Sequence, residues 1–156
     1  MLALQVSSLV LLLLSAIVNV ISLATDFWIA ASGSHFGLWR VCILDICGTL
    51  GNGADIDATR AFSIISLLLL LVAVLMQILE IMFNTVLSGT NKQKLTAILS
   101  FCAGASALIA MSVFTGSARP SGSTTYSWSF ALGWVSTGLS LVAGAAAFLA
   151  FKHNPQ

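Results

Sequence analysis

The sequence predicts an all-α membrane protein: a four-helix transmembrane bundle with a small extracellular β element closed by a disulfide. Three observations predict it. Four long apolar runs divide the chain. Only 7% of the 156 residues are charged, against about 25% in a soluble domain. Between the first two runs lies an aromatic island, Trp28 to Cys47, that holds two of the three cysteines. A net charge of +1 leaves no basic footprint for nucleic acid. The partner that composition implies is the lipid bilayer. Residues 1–156 read as one tetraspan domain.

The helices are expected at about 2–24, 61–83, 95–116 and 127–151. Each run has about 20 residues or more, enough to cross about 30 Å of hydrocarbon at about 1.5 Å per residue. Lipid permits only helices or closed barrels. Leu67 to Val74 lacks the alternation of a barrel strand. The first run also resembles a cleaved signal, with Ser22 and Ala24 at the cut. It has no basic residue before Leu9, and its apolar stretch exceeds a signal core of about 7–15 residues. It is therefore read as a retained span.

Basic residues set the orientation. Lys92 and Lys94 in the 84–94 loop, and Lys152 in the 152–156 tail, have no acidic counterweight there. The 25–60 loop carries Asp26, Asp45, Asp55 and Asp57 against Arg40 and Arg60. This bias puts the 84–94 loop and both termini in the cytoplasm, and the 25–60 and 117–126 loops outside. Arg119 runs against the bias. The cysteine pair agrees with it, because disulfides persist outside the cytosol.

Cys42 and Cys47 are too widely spaced for a C-x-x-C redox motif. A zinc site needs two further ligands, and the island offers only His35. A local disulfide is the reading that remains. The run Phe36 to Cys42 reads as a strand, since aromatic and β-branched residues favour one. A turn through Leu44 and Asp45 then returns Cys47 beside Cys42 across a hairpin. Gly48, Gly51 and Gly53 mark a flexible return to the second helix. Trp28, just past the first helix, reads as an interface anchor. Trp39 lies far along the loop and calls for a different role.

Trp28, then Gly37-Leu38-Trp39, then Cys42 and Cys47, resembles the W…GLW…C…C signature of a tetraspan superfamily. That superfamily contains the claudins, peripheral myelin protein, the epithelial membrane proteins and lens-fibre membrane intrinsic protein. Ala58 to Phe62, with Arg60 at its centre, opens the second helix much as in the lens-fibre member. Tyr126 to Phe130 and Leu132 to Val135 are similar to the lens-fibre and natural-killer granule members. The resemblance implies a non-enzymatic protein of the plasma membrane or cell junction. It implies adhesion or structural work through lateral assembly and outer-loop contacts, with self-association or another membrane protein as partner. Alternatives from the same resemblance are an auxiliary or trafficking regulator and a claudin-like paracellular channel or barrier. The short first loop departs from a claudin. So does the Asn154-Pro155-Gln156 tail, which lacks the hydrophobic end that many claudins use to bind junctional scaffolds.

Phe36, Ile43, Leu44 and Ile46 are candidates for a contact surface of the island, or for burial against the island itself or in the lipid headgroups. Asp26 and Arg60 fall at the outer ends of helices 1 and 2, where they either pair or each simply mark the end of an apolar span. Glu80, the only acid within a span, is expected to reach toward the headgroups. Asn19 and Gln77 are read as interhelical hydrogen-bonding groups. Ser100 and Gly104, and Ser136, Ser140 and Gly144, fall at four-residue spacing and permit close helix packing, within the bundle or between copies. Cys102 is expected to be a buried, inert thiol. The spans offer no ring of charges and no broken helix for a transport site. His35 and His153 fall on opposite sides of the membrane, and no nucleophile has a base nearby, which argues against an enzyme. No cofactor or metal is expected.

Overall fold

The computed structural model describes residues 2–83 and 91–153. Its four long helices are α1 (Leu2–Ala24), α2 (Ala54–Met82), α3 (Asn91–Ser117) and α4 (Trp128–Lys152). All four are long and apolar enough to cross a membrane. α2 starts at Ala54 rather than near 61. Asp55 and Asp57 lie in its first turn, where carboxylates complement the helix dipole, and they carry the helix beyond its apolar run. α3 likewise starts at Asn91 rather than near 95. The loop expected at 84–94 falls largely outside the described residues, as do Asn154, Pro155 and Gln156.

The bundle interior is made of small and polar residues. Lipid tails are as apolar as leucine, so a large apolar side chain gains little by facing inward, while small residues allow close approach. Ile17, Leu68, Leu71 and Val142 accordingly point outward. Ser8, Ser15 and Ser22 form a buried row along α1 at seven-residue spacing, and Ser129, Ser136 and Ala143 do the same along α4. Such a repeat keeps one helix face on its partner. Ser15 Oγ donates to the Ser136 carbonyl at 2.9 Å, and Ser136 Oγ donates back to the Ser15 carbonyl at 3.0 Å. Ser22 Oγ donates to the Ser129 carbonyl at 2.7 Å. Ser140 Oγ lies 3.1 Å from Ser15 Oγ. On the other side, Ser66 bonds the Ala103 carbonyl at 2.9 Å and Ser106 the Phe62 carbonyl at 2.8 Å, joining α2 to α3. Gly104 lets α3 approach α4, since a Cβ there would stand 2.6 Å from the Leu141 side chain. Gly144 packs in the same way against the Phe101 ring. Ser100 Oγ bonds within its own helix, to the Thr96 carbonyl.

At one end of the bundle sits a five-stranded antiparallel sheet. Its strands are β1 (Ile29–Ala31), β2 (Ser34–Phe36), β3 (Arg40–Ile43), β4 (Ile46–Thr49) and β5 (Thr125–Tyr126), in the order β4-β3-β2-β1-β5. The single strand expected from Phe36 to Cys42 is broken at Gly37-Leu38-Trp39. There the chain turns tightly, Gly37 N donating to the Arg40 carbonyl at 2.9 Å, and Leu38 swings into the core. β5 comes from the loop before α4 and pairs with β1, Ile29 opposite Tyr126. The two sheet-side loops thus form one element.

Candidate functional site

The sheet has a tip and a base. The tip is the β3–β4 hairpin. Cys42 faces Cys47 across it, and the two are joined by a disulfide. Leu44 and Asp45 make the two-residue turn with φ of 46° and 67°. Positive φ at both central positions is the type I′ geometry that matches the twist of paired strands. Ile43, Leu44 and Ile46 are 53%, 76% and 79% exposed. Phe36, the fourth candidate for the contact surface, lies elsewhere. It is half-buried and lines a groove at the base with Ile29, Leu50, Ile56 and Phe114.

The base is built by the motif residues. Gly37 lies against the end of α1, where a Cβ would come within 2.5 Å of the Asp26 Cα and 3.0 Å of the Thr25 carbonyl. Only glycine permits that approach. Leu38 is fully buried in a cluster with Leu23, Trp28, Met111 and Phe114. The last carbonyls of α1, which a helix leaves unpaired, are taken one by one. Trp28 Nε1 donates to that of Ser22 at 2.8 Å and Trp39 Nε1 to that of Leu23 at 2.9 Å, while that of Ile21 accepts both the Thr25 N–H at 3.2 Å and the Thr25 hydroxyl at 2.6 Å.

Trp28 is therefore not an interface anchor. It is 1% exposed and edge-on to Phe114, because the chain reverses after α1 and carries the indole back across the mouth of the bundle. Trp39 is the half-exposed one, with the Arg60 guanidinium 4.9 Å from its ring centre.

Arg60 ties α2 to the motif. Its Nε donates to the Leu38 carbonyl at 2.8 Å and an Nη donates to the Leu50 carbonyl at 3.3 Å. The other Nη reaches Asp57 at 2.9 Å. Of the two alternatives for Asp26 and Arg60, the ion pair is not formed. The Gly37-Leu38 link lies between the two, abutting Asp26 on one side and receiving Arg60 on the other. Asp26 instead stands 3.9 Å from Arg40.

Two expectations for the spans are corrected. Glu80 faces the bundle, 6% exposed, on the same buried face as Gln77. Gln77 bonds the Gln5 carbonyl at 3.2 Å and accepts from Gln93 at 3.4 Å. Cys102 is exposed, because Ala103 and Gly104 occupy the packed face of α3. The residues missed from sequence are Ser8, Ser15 and Ser22, whose seven-residue spacing was the available signal, and Thr25. Among the described residues no cluster of His, Cys, Asp and Glu is arranged to hold a metal ion.

A four-span bundle whose disulfide-bearing sheet is seated by a W…GLW…Arg framework defines a tetraspan integral membrane protein of the claudin type. The chain matches the PMP-22/EMP/MP20/Claudin family over residues 1–147 and belongs to that family. It is 30% identical over 146 residues to lens fiber membrane intrinsic protein of Homo sapiens, covering 87% of this chain and 84% of the relative. It is 34% identical over 145 residues to protein NKG7 of Homo sapiens, with 87% and 84% covered. It is 27% identical over 152 residues to claudin domain-containing protein 2 of Mus musculus, with 95% and 87% covered. Membership supports a non-enzymatic role in the membrane.

Proposed function

We propose that this protein is an adhesion or structural component of the plasma membrane or cell junction, working by contact through the sheet tip. In this reading the sheet-bearing end faces outside and both termini are cytoplasmic. The observation that carries it is Leu44. A non-glycine residue with positive φ is uncommon, and for a bulky one it is strained. Asparagine is the residue a type I′ turn prefers. Here a leucine holds the position with φ 46° and is 76% exposed, its Cδ2 lying beside Gly33 and most of its side chain standing in the open. Strain of this kind points to function. Ile43 and Ile46 flank it and widen the apolar surface.

The test is aggregation between cells expressing the chain. Leu44→Asn should leave surface expression unchanged and reduce cell–cell adhesion. Undiminished adhesion would remove the contact role. Co-purification from mild detergent with one stoichiometric membrane protein, and not with itself, would instead favour the trafficking reading. Selective ion flux across a sealed cell layer would favour the channel reading. Labelling of Lys152 by a membrane-impermeant amine reagent on intact cells would overturn the orientation.

A further inference from the structure

At the sheet-bearing end of the α3–α4 seam lies a groove of about 590 Å³, lined by Ser112, Thr115, Gly116, Arg119, Tyr126 and Trp134. That volume is within the range of about 300–1,000 Å³ of small-molecule sites. Ser112, Gly116 and Trp134 lie on the outward faces of their helices, so the groove opens sideways, where lipid lies. Most polar atoms in its wall are turned onto the chain itself. Thr115 Oγ1 donates to the Met111 carbonyl at 2.6 Å. Tyr126 Oη shares its proton between the carbonyls of Ala118 at 3.2 Å and Thr115 at 3.4 Å.

Arg119 differs. It is exposed just beyond the end of α3 and makes no ion pair or hydrogen bond among the described residues. Tyr126 beside it, before the start of α4, marks the height of the lipid headgroups. A guanidinium presents a planar fork of donors suited to a phosphate. Below it, Gly116 leaves the groove open, since a Cβ there would meet nothing within 4 Å. We propose that this groove binds one phospholipid of the adjacent leaflet, its phosphate on Arg119 and its first acyl carbons running past Gly116 and Ser112 toward Trp134. A phosphate partner also accounts for a cation that runs against the charge asymmetry of the loops.

The full chain, purified in mild detergent, is exchanged with phosphatidylcholine or phosphatidylglycerol and weighed by native mass spectrometry. One retained phospholipid per chain is expected, with Arg119→Gln weakening retention about fivefold, as for loss of one basic contact at a membrane surface. Gly116→Leu keeps the arginine and fills the groove without a clash, and should abolish retention. Lys152→Gln, at the far end, should change nothing. Retention equal to wild type in both groove variants overturns the site. An equal loss with Lys152→Gln reduces it to bulk charge and overturns it too. Thermal protection by inorganic phosphate that matches the phospholipid overturns the lipid as occupant. If Arg119→Gln does not fold, Gly116→Leu decides: full retention there overturns the site.

Discussion

The base and tip of the sheet are built on opposite terms. At the base, polar groups are committed: two indoles and a threonine take the carbonyls of α1, and Arg60 holds the Leu38 and Leu50 carbonyls. At the tip, three large apolar side chains stand in the open. The base fixes where the sheet stands on the bundle. The tip, freed from that task, can carry contact residues that the fold does not need. Substitutions should separate the two regions.

The largest effect is expected at the base. Trp28→Ala removes a fully buried indole from the cluster with Leu38, Met111 and Phe114 and should cost about 3–5 kcal/mol. Loss of the folded form in a detergent-melting assay is the readout. Gly37→Ala places a Cβ 2.5 Å from backbone that cannot swing aside. It should cost about 1–3 kcal/mol, as overpacking does, and lower surface expression. A Gly37→Ala chain as stable as wild type would show that the seat on α1 is looser than its geometry. Between base and tip, replacing Cys42 and Cys47 together by serine should cost about 2 kcal/mol, given so short a closed loop. The type I′ turn and the β2–β3 pairing should still hold the hairpin. The smallest loss of stability belongs to Leu44→Asn, which exchanges a strained leucine for the residue the turn prefers and should not destabilise the fold, with adhesion reduced. A base variant that keeps its stability, or a tip variant that loses it, would break the contrast.

Much of the hairpin was legible because its signals are local. The Leu44-Asp45 turn and the return of Cys47 beside Cys42 follow from spacing within a few residues. The break at Gly37-Leu38-Trp39 was not legible. The pull that turns Leu38 inward comes from Met111 and Phe114, far along the chain. β5 is two residues long and exists only by pairing with β1. Within the spans, length and apolarity gave the helices, but apolarity does not say which face is buried when the solvent is itself apolar. The serine row of α1 carries that information. Glu80 and Cys102 were misplaced for the same reason: their surroundings depend on rotation about the helix axis. Arg60 was recognised as a motif residue, yet its link to the motif runs through the Leu38 and Leu50 carbonyls, which no side-chain pattern reveals.

The pairing of β5 with β1 has a mechanical consequence. Besides running directly from β4 into α2, a pull on the hairpin passes from β3 through β2 and β1, and from there it divides. One branch runs down α1 through Trp28; the other crosses to β5 and enters α4. α1 and α4 are the helices stitched together by the serine row. A load on the hairpin would therefore be shared between α2, reached directly from β4, and two further anchors that share one seam, and no single helix would bear all of it.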